Sequence, residues 1–244
     1  MILRAIAFSV SLVLCAGAGA KNIPRPVLKL PNPAAARENA VPDFSQTYDG
    51  WPSAEVVAER KRCSKLLKGL DITYKPLAPI GASGGCGAAA PILIKSVRGT
   101  TIDPPAEATC ELAEALHGWI TSSLQPAARA ELKKDVTMIS NASAYVCRRR
   151  NGQSSGKLSE HAKANALDMA WLRFSDGSTT TIKGDWSGIL GALGISGKSA
   201  FLTRIRRDAC VRFTTVLGPG SDSFHKDHFH VDMARRKNGY RICQ

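Results

Sequence analysis

Three of the five histidines of this 244-residue chain fall within six residues, His225, His228 and His230, with Asp227 and Asp232 among them. If residues 228–233 form a strand, His228 and His230 point to one face, because successive side chains alternate. Two converging imidazoles are a beginning for a metal site. A second cluster runs SEHAKANALD over residues 159–168. On one unbroken strand His161 and Asp168 face opposite ways; on a helix, or across a turn leading into a strand, they can converge. A catalytic zinc takes three protein ligands and keeps one position open. His161, Asp168 and one His of the H-x-H pair supply N, O and N donors. A serine-hydrolase reading fails for want of a G-x-S-x-G elbow, and Ser159 reads as a cap or turn hydroxyl. A zinc cluster of cysteines is disfavoured because no C-x-x-C pair occurs.

These residues need elements to hold them. Apolar spacing predicts helices over residues 55–68, 106–124 and 201–207. In the first, Val56, Val57, Cys63, Leu66 and Leu67 can share a face; in the second, Leu112, Leu116, Trp119 and Ile120 do. Strands are expected near residues 92–94, 136–147, 211–217 and 228–233. Residues 166–174 and 178–182 flank Ser175-Asp176-Gly177, a hairpin signal. The mixture predicts an α+β fold, a mainly antiparallel sheet with packed helices.

Composition bounds the rest. Hydrophobic residues make up 44% and charged residues 22%, which excludes wholesale disorder. Residues 1–20 read as a secretory signal: Arg4, an apolar run over residues 5–14, then Ala18-Gly19-Ala20. That run is too short to span a bilayer, which needs about 20 residues, and no later segment is apolar enough. Residues 21–51, with five prolines and three consecutive alanines, read as an extended leader or linker, and 52–244 as one globular domain.

Export leaves six cysteines, an even number that suggests three disulfides stapling the fold. Nearest-neighbour pairing is the working hypothesis: Cys63–Cys86, Cys110–Cys147 and Cys210–Cys243. The formal net charge of +13 falls to about +12 without Arg4. A basic exported surface favours an anionic cell envelope as partner over nucleic acid.

The pattern S-x-H-x-x-x-x-A-x-D followed by D-H-x-H resembles the D-Ala-D-Ala peptidase / lysostaphin-type zinc peptidase clan. With YVCRRRNG at 145–152, SEH at 159–161, Cys210, LGPG at 217–220 and HKDHFHVD at 225–232, the chain is more closely similar to the bacterial extensin-like C-terminal domain family. The likeness extends from about Cys63 to Cys243. It implies a D-Ala-D-Ala-peptidase-like fold and a zinc-dependent peptidase acting on peptidoglycan peptides in the periplasm or cell envelope. The ligands it implies are His161, Asp168 and His230. His228 then matches the position that assists water activation, and Asp227, three residues before His230, sits where the D-Ala-D-Ala branch carries a general base. Arg148, or alternatively Arg150, matches an arginine that binds substrate or its oxyanion. Where the pattern carries Gly, this chain has Ala164. The competing expectation is a non-catalytic wall-binding module with a structural metal.

Overall fold

The computed structural model describes residues 50–187, 189, 193 and 197–244; the expected signal segment and nearly all of the expected leader lie outside them. Among the described residues no helix is long and apolar enough to cross a membrane. The main sheet carries its strands in the order β1 (Ile72–Pro76), β4 (Ile92–Val97), β5 (Thr100–Ala108), β6 (Val136–Ser143), β7 (Ala166–Phe174), β10 (Phe229–Asp232), β9 (Thr215–Leu217), β11 (Ile242–Cys243). β8 (Thr179–Thr181) pairs with β7, and β2 (Ile80–Ala82) with β3 (Cys86–Ala88) forms a separate hairpin. β5–β6 and β9–β11 run parallel; the other pairs are antiparallel. The expected mixed, mainly antiparallel architecture is present.

The helices are α1 (Ser53–Leu67), α2 (Cys110–Trp119), α3 (Gln125–Leu132), the short α4 (Ile182–Asp185) and α5 (Gly197–Ala209). In α1, Val56, Cys63 and Leu67 are buried, whereas Val57, expected on the same face, is exposed. The helix expected from residue 106 begins instead at Cys110, because the Thr109 hydroxyl accepts the Leu112 N–H and caps it there. Residues 106–108 complete β5, opposite Ile92–Ile94 of β4. Pro104 and Pro105 fall between the paired stretches of β5, where their missing N–H groups cost no ladder bond. The strand expected from residue 211 shortens to Thr215–Leu217, since residues 210–213 turn back onto the end of α5 through bonds to Arg207, Asp208 and Ala209 carbonyls.

One main core joins the helices to one face of the sheet. Trp119, Ile120 and Leu124 meet Phe201, Leu202 and Ile205 of α5, and the Trp119 Nε1–H donates to the Ile205 carbonyl at 3.0 Å. Around the site the core takes Leu167 and Met169 of β7 and Phe229 and Val231 of β10. Alternation therefore turns Asp168, His230 and Asp232 to the other face.

Three disulfides are formed, and two depart from nearest-neighbour pairing. Cys63 bonds Cys110, and Cys86 bonds Cys147; Cys210–Cys243 is as expected. Packing explains the exchange. α1 lies against the N-terminus of α2, bringing the Cα atoms of Cys63 and Cys110 within 5.4 Å, while the β2–β3 hairpin brings Cys86 to the segment after β6. Cys147, the residue before Arg148, is still pinned, but by the hairpin. Cys210–Cys243 ties the turn after α5 to β11 and closes a loop of chain containing residues 225–232.

Candidate metal centre

Register alone brings two site residues together. In the antiparallel β7–β10 ladder His230 lies directly opposite Asp168, and such cross-strand pairs on one face have Cβ atoms about 5 Å apart. The His230 Nδ1 stands 2.8 Å from Asp168 Oδ1. His161 arrives from a different kind of element. It sits in a 3₁₀ turn, Glu160–Lys163, whose entry is capped by the Ser159 hydroxyl accepting the His161 N–H. The turn ends at Ala164 in the left-handed conformation, φ 51° and ψ 32°, which swings the chain into β7. This is the turn into a strand that lets His161 and Asp168, seven residues apart, converge. His161 Nε2 lies 3.1 Å from Asp168 Oδ1 and 3.2 Å from His230 Nδ1.

All three side chains are buried, and one donor atom from each lies within 4.8 Å of the others. Their remaining nitrogens are engaged behind them. His161 Nδ1–H donates to the Ala144 carbonyl at 2.5 Å, and His230 Nε2 meets Asp232 Oδ2 at 3.1 Å. Fixing the outer nitrogen selects the tautomer that presents the inner one, the arrangement by which protein ligands to metals are oriented. Two imidazoles and one carboxylate, held this way, fit a zinc ion.

The electrostatics of the cluster suit a cation. Burial opposes ionisation of Asp168, but hydrogen bonds from His161 and His230 outweigh it and hold its carboxyl well below the usual carboxylate range. Burial likewise disfavours a charged His230, yet Asp168 and Asp232 prevail and push it up to about 9. Asp232, against burial, is lowered by His230. In the metal-free protein the imidazolium of His230 thus supplies positive charge between two carboxylates. A metal held there would supply that positive charge instead, and His230 would ligate it through a deprotonated nitrogen.

Around this centre opens a cavity of about 460 Å³, lined by His228, Arg148 and Arg150 among others. His228 Nε2 lies 3.7 Å from Asp168 Oδ1, and its Nδ1 is 3.0 Å from Asp227 Oδ1. Asp227 sits behind the His228 ring with its side chain 58% exposed, and it does not line the cavity. The hydrogen bond from His228 holds the Asp227 carboxyl below its ordinary range.

Three residues with no role in the sequence reading also belong here. Asp232 backs His230; its position two residues on, on the same strand face, was a readable signal. Asp222 backs His225: its Oδ1 accepts the N–H groups of Phe224 and His225 and lies 2.7 Å from His225 Nδ1. The His225 ring stands 5.2 Å from that of His228 and 5.6 Å from that of His230. Arg236, from the segment after β10, completes the lining, and no local pattern marks it.

A separate cavity of about 330 Å³ lies between α1 and the start of α2. Its charges answer one another: Arg62 pairs with Glu59 and Glu111, and Lys163 with Glu160.

The profile of a family described as "Extensin-like protein C-terminus" matches residues 61–244. No curated protein and no solved structure matches the chain.

Proposed function

This chain belongs to the extensin-like protein C-terminus family, and from that premise we propose that it is an exported zinc-dependent peptidase that hydrolyses peptide bonds of peptidoglycan. The observation that carries the reading is the buried His161–Asp168–His230 triad at the floor of an open cavity, each imidazole braced from behind. Three disulfides are compatible with the periplasm or cell envelope as its place of work. The basic surface suits an anionic envelope.

His161, Asp168 and His230 would hold the zinc. When bound, zinc supplies Lewis acidity, acidifying water and polarising a carbonyl oxygen. His228 handles the proton. Its Nδ1–H is directed at Asp227, which leaves Nε2 bare on the cavity side to accept a proton from water and return it to the departing amine. Asp227 orients that ring through its contact with Nδ1. Arg148, at the cavity wall, places a fixed positive charge where an oxyanion can develop.

The test has two stages. Purified protein lacking residues 1–20 should carry about one zinc per chain after reconstitution, and His230→Ala should carry none. The loaded protein should then release peptides from sacculi, and release should stop with a chelator. General acid–base catalysis is worth about 10²–10⁴ in rate, so His228→Ala should lose that much with zinc retained. Full activity in His228→Ala removes it from the proton-transfer role. Zinc binding and wall binding without cleavage would support the non-catalytic module.

A further inference from the structure

A regular β7 would bury Trp171. Leu167 and Met169 face the core, and strict alternation would send residues 171 and 173 after them. The core takes Leu172 and Phe174 instead, leaving Trp171 half-buried and Arg173 exposed. The register gives the reason. Leu172 lies opposite Ile139 and Met169 opposite Asn141, so Ala170 and Trp171 together face Ser140. The extra residue is a β-bulge, a device that re-aims a side chain beside a site. Here it turns Trp171 to the face that carries Asp168, about 10 Å further along the strand.

The ring stands in polar surroundings. On β8, Thr181 lies opposite Trp171 and Thr179 opposite Arg173, and both are exposed, while Thr180 between them is buried opposite Leu172. The Thr181 hydroxyl accepts the Gly184 N–H at 3.0 Å, which leaves its own proton to donate outward. On β5, Thr101 and Asp103 flank the core residue Ile102 and are exposed as well. The Arg173 guanidinium lies 5.4 Å from the centre of the Trp171 ring and steadies it. A protein partner calls for a wider apolar centre than one indole among threonines. A polyanion calls for several cations, and Arg173 is engaged on the ring. An aromatic plane with hydroxyl groups beside it matches a saccharide ring, whose C–H face is apolar and whose rim is hydroxylated.

We propose that Trp171 and the threonines beside it bind a saccharide ring of the glycan to which the cleaved peptide is attached. Saccharide binding stands on this face alone; its link to cleavage rests on the peptidase reading. With the ring about 10 Å from Asp168, a sugar seated on it leaves about three residues of extended peptide to reach the metal centre. The platform therefore favours bonds that close to the glycan.

The probe is a tetramer of β-1,4-linked N-acetylglucosamine, titrated by calorimetry into protein lacking residues 1–20. Wild type should bind it, and Trp171→Ala should bind about tenfold more weakly or worse, the scale of losing one well-packed aromatic contact. Trp171→Phe, which keeps a smaller ring, should lose about threefold and serves if the alanine variant unfolds. Zinc content of Trp171→Ala equal to wild type reports an intact triad. No binding by wild type, or equal binding by wild type and both variants, would overturn the proposal. So would a sugar-free stem peptide that binds through Trp171 when the tetramer does not. In the zinc-loaded protein Trp171→Ala should raise KM for glycan-linked stem peptides by about tenfold and leave the sugar-free peptide unchanged; equal losses on both would overturn the proposal. Tetramer binding that depends on Trp171, with no cleavage of either peptide, upholds the saccharide face while the peptidase reading fails.

Discussion

The two faces of the β7–β10 ladder share one backbone and differ in what they do. On one face Leu167, Met169, Phe229 and Val231 pack against the helices. On the other, Asp168, His230 and Asp232 form a buried polar network with His161. The apolar face is held by area and shape, which neighbouring side chains can partly recover after a change. The polar face is held by mutual neutralisation, and removing one member leaves the others buried without a partner, a cost of about 3–5 kcal/mol for a buried charge pair. The core face therefore sets how firmly the strands are held, and the site face sets what they hold.

The largest effects separate the faces. Phe229→Ala should cost about 3–5 kcal/mol of stability, since it empties core volume beside Trp186, whose ring meets Phe229 at 5.7 Å. The folded fraction should still bind zinc. Zinc at about 1,000 times its Kd should raise stability by about 4 kcal/mol, in this variant as in wild type. His230→Ala should show none of that zinc-dependent gain. Thermal melts with and without zinc read both numbers, and zinc stabilisation lost in Phe229→Ala would break the division between the faces.

A subtler change tests the network behind the ligands. Asp232→Asn keeps size and removes the charge behind His230. It should weaken zinc binding by about 10–100-fold, with all three ligands in place. Chelator competition measures this, and an unchanged affinity would mean that register alone orients His230.

How far the site could be read in advance follows from the same contrast. The strand around His230 and the hairpin at Ser175-Asp176-Gly177 are local properties, and both stand in the structure, although the strand runs Phe229–Asp232 and leaves His228, expected on it, in the bend that precedes it. The triad was legible because its spacing allowed a turn into a strand, and because it resembled a known pattern. What needed three dimensions was less visible. Pairing of Cys63 with Cys110 depends on α1 lying against α2, which no local signal encodes. That His228 lines the cavity while Asp227 lies behind its ring could not be read from chain offset. Arg236 reaches the site from beyond β10, and its sequence neighbourhood is an ordinary basic run.

The smallest effect concerns the turn that unites the strands with His161. Ala164 is fully buried and left-handed, φ 51°, where the resembling pattern has Gly. Left-handed backbone costs a non-Gly residue about 1–2 kcal/mol. Ala164→Gly relieves that, but it frees the unfolded chain by about 0.4–1 kcal/mol and gives up a buried methyl worth about 0.8 kcal/mol. The three terms nearly cancel, so stability should stay within about 0.5 kcal/mol of wild type. Zinc affinity should also hold, because the bonds that fix His161 come from Ser159 and Ala144 and not from the Ala164 side chain. A large gain in stability together with tighter zinc would instead mean that strain at Ala164 is transmitted to His161, and that the turn, rather than the strand register, limits how well the triad closes.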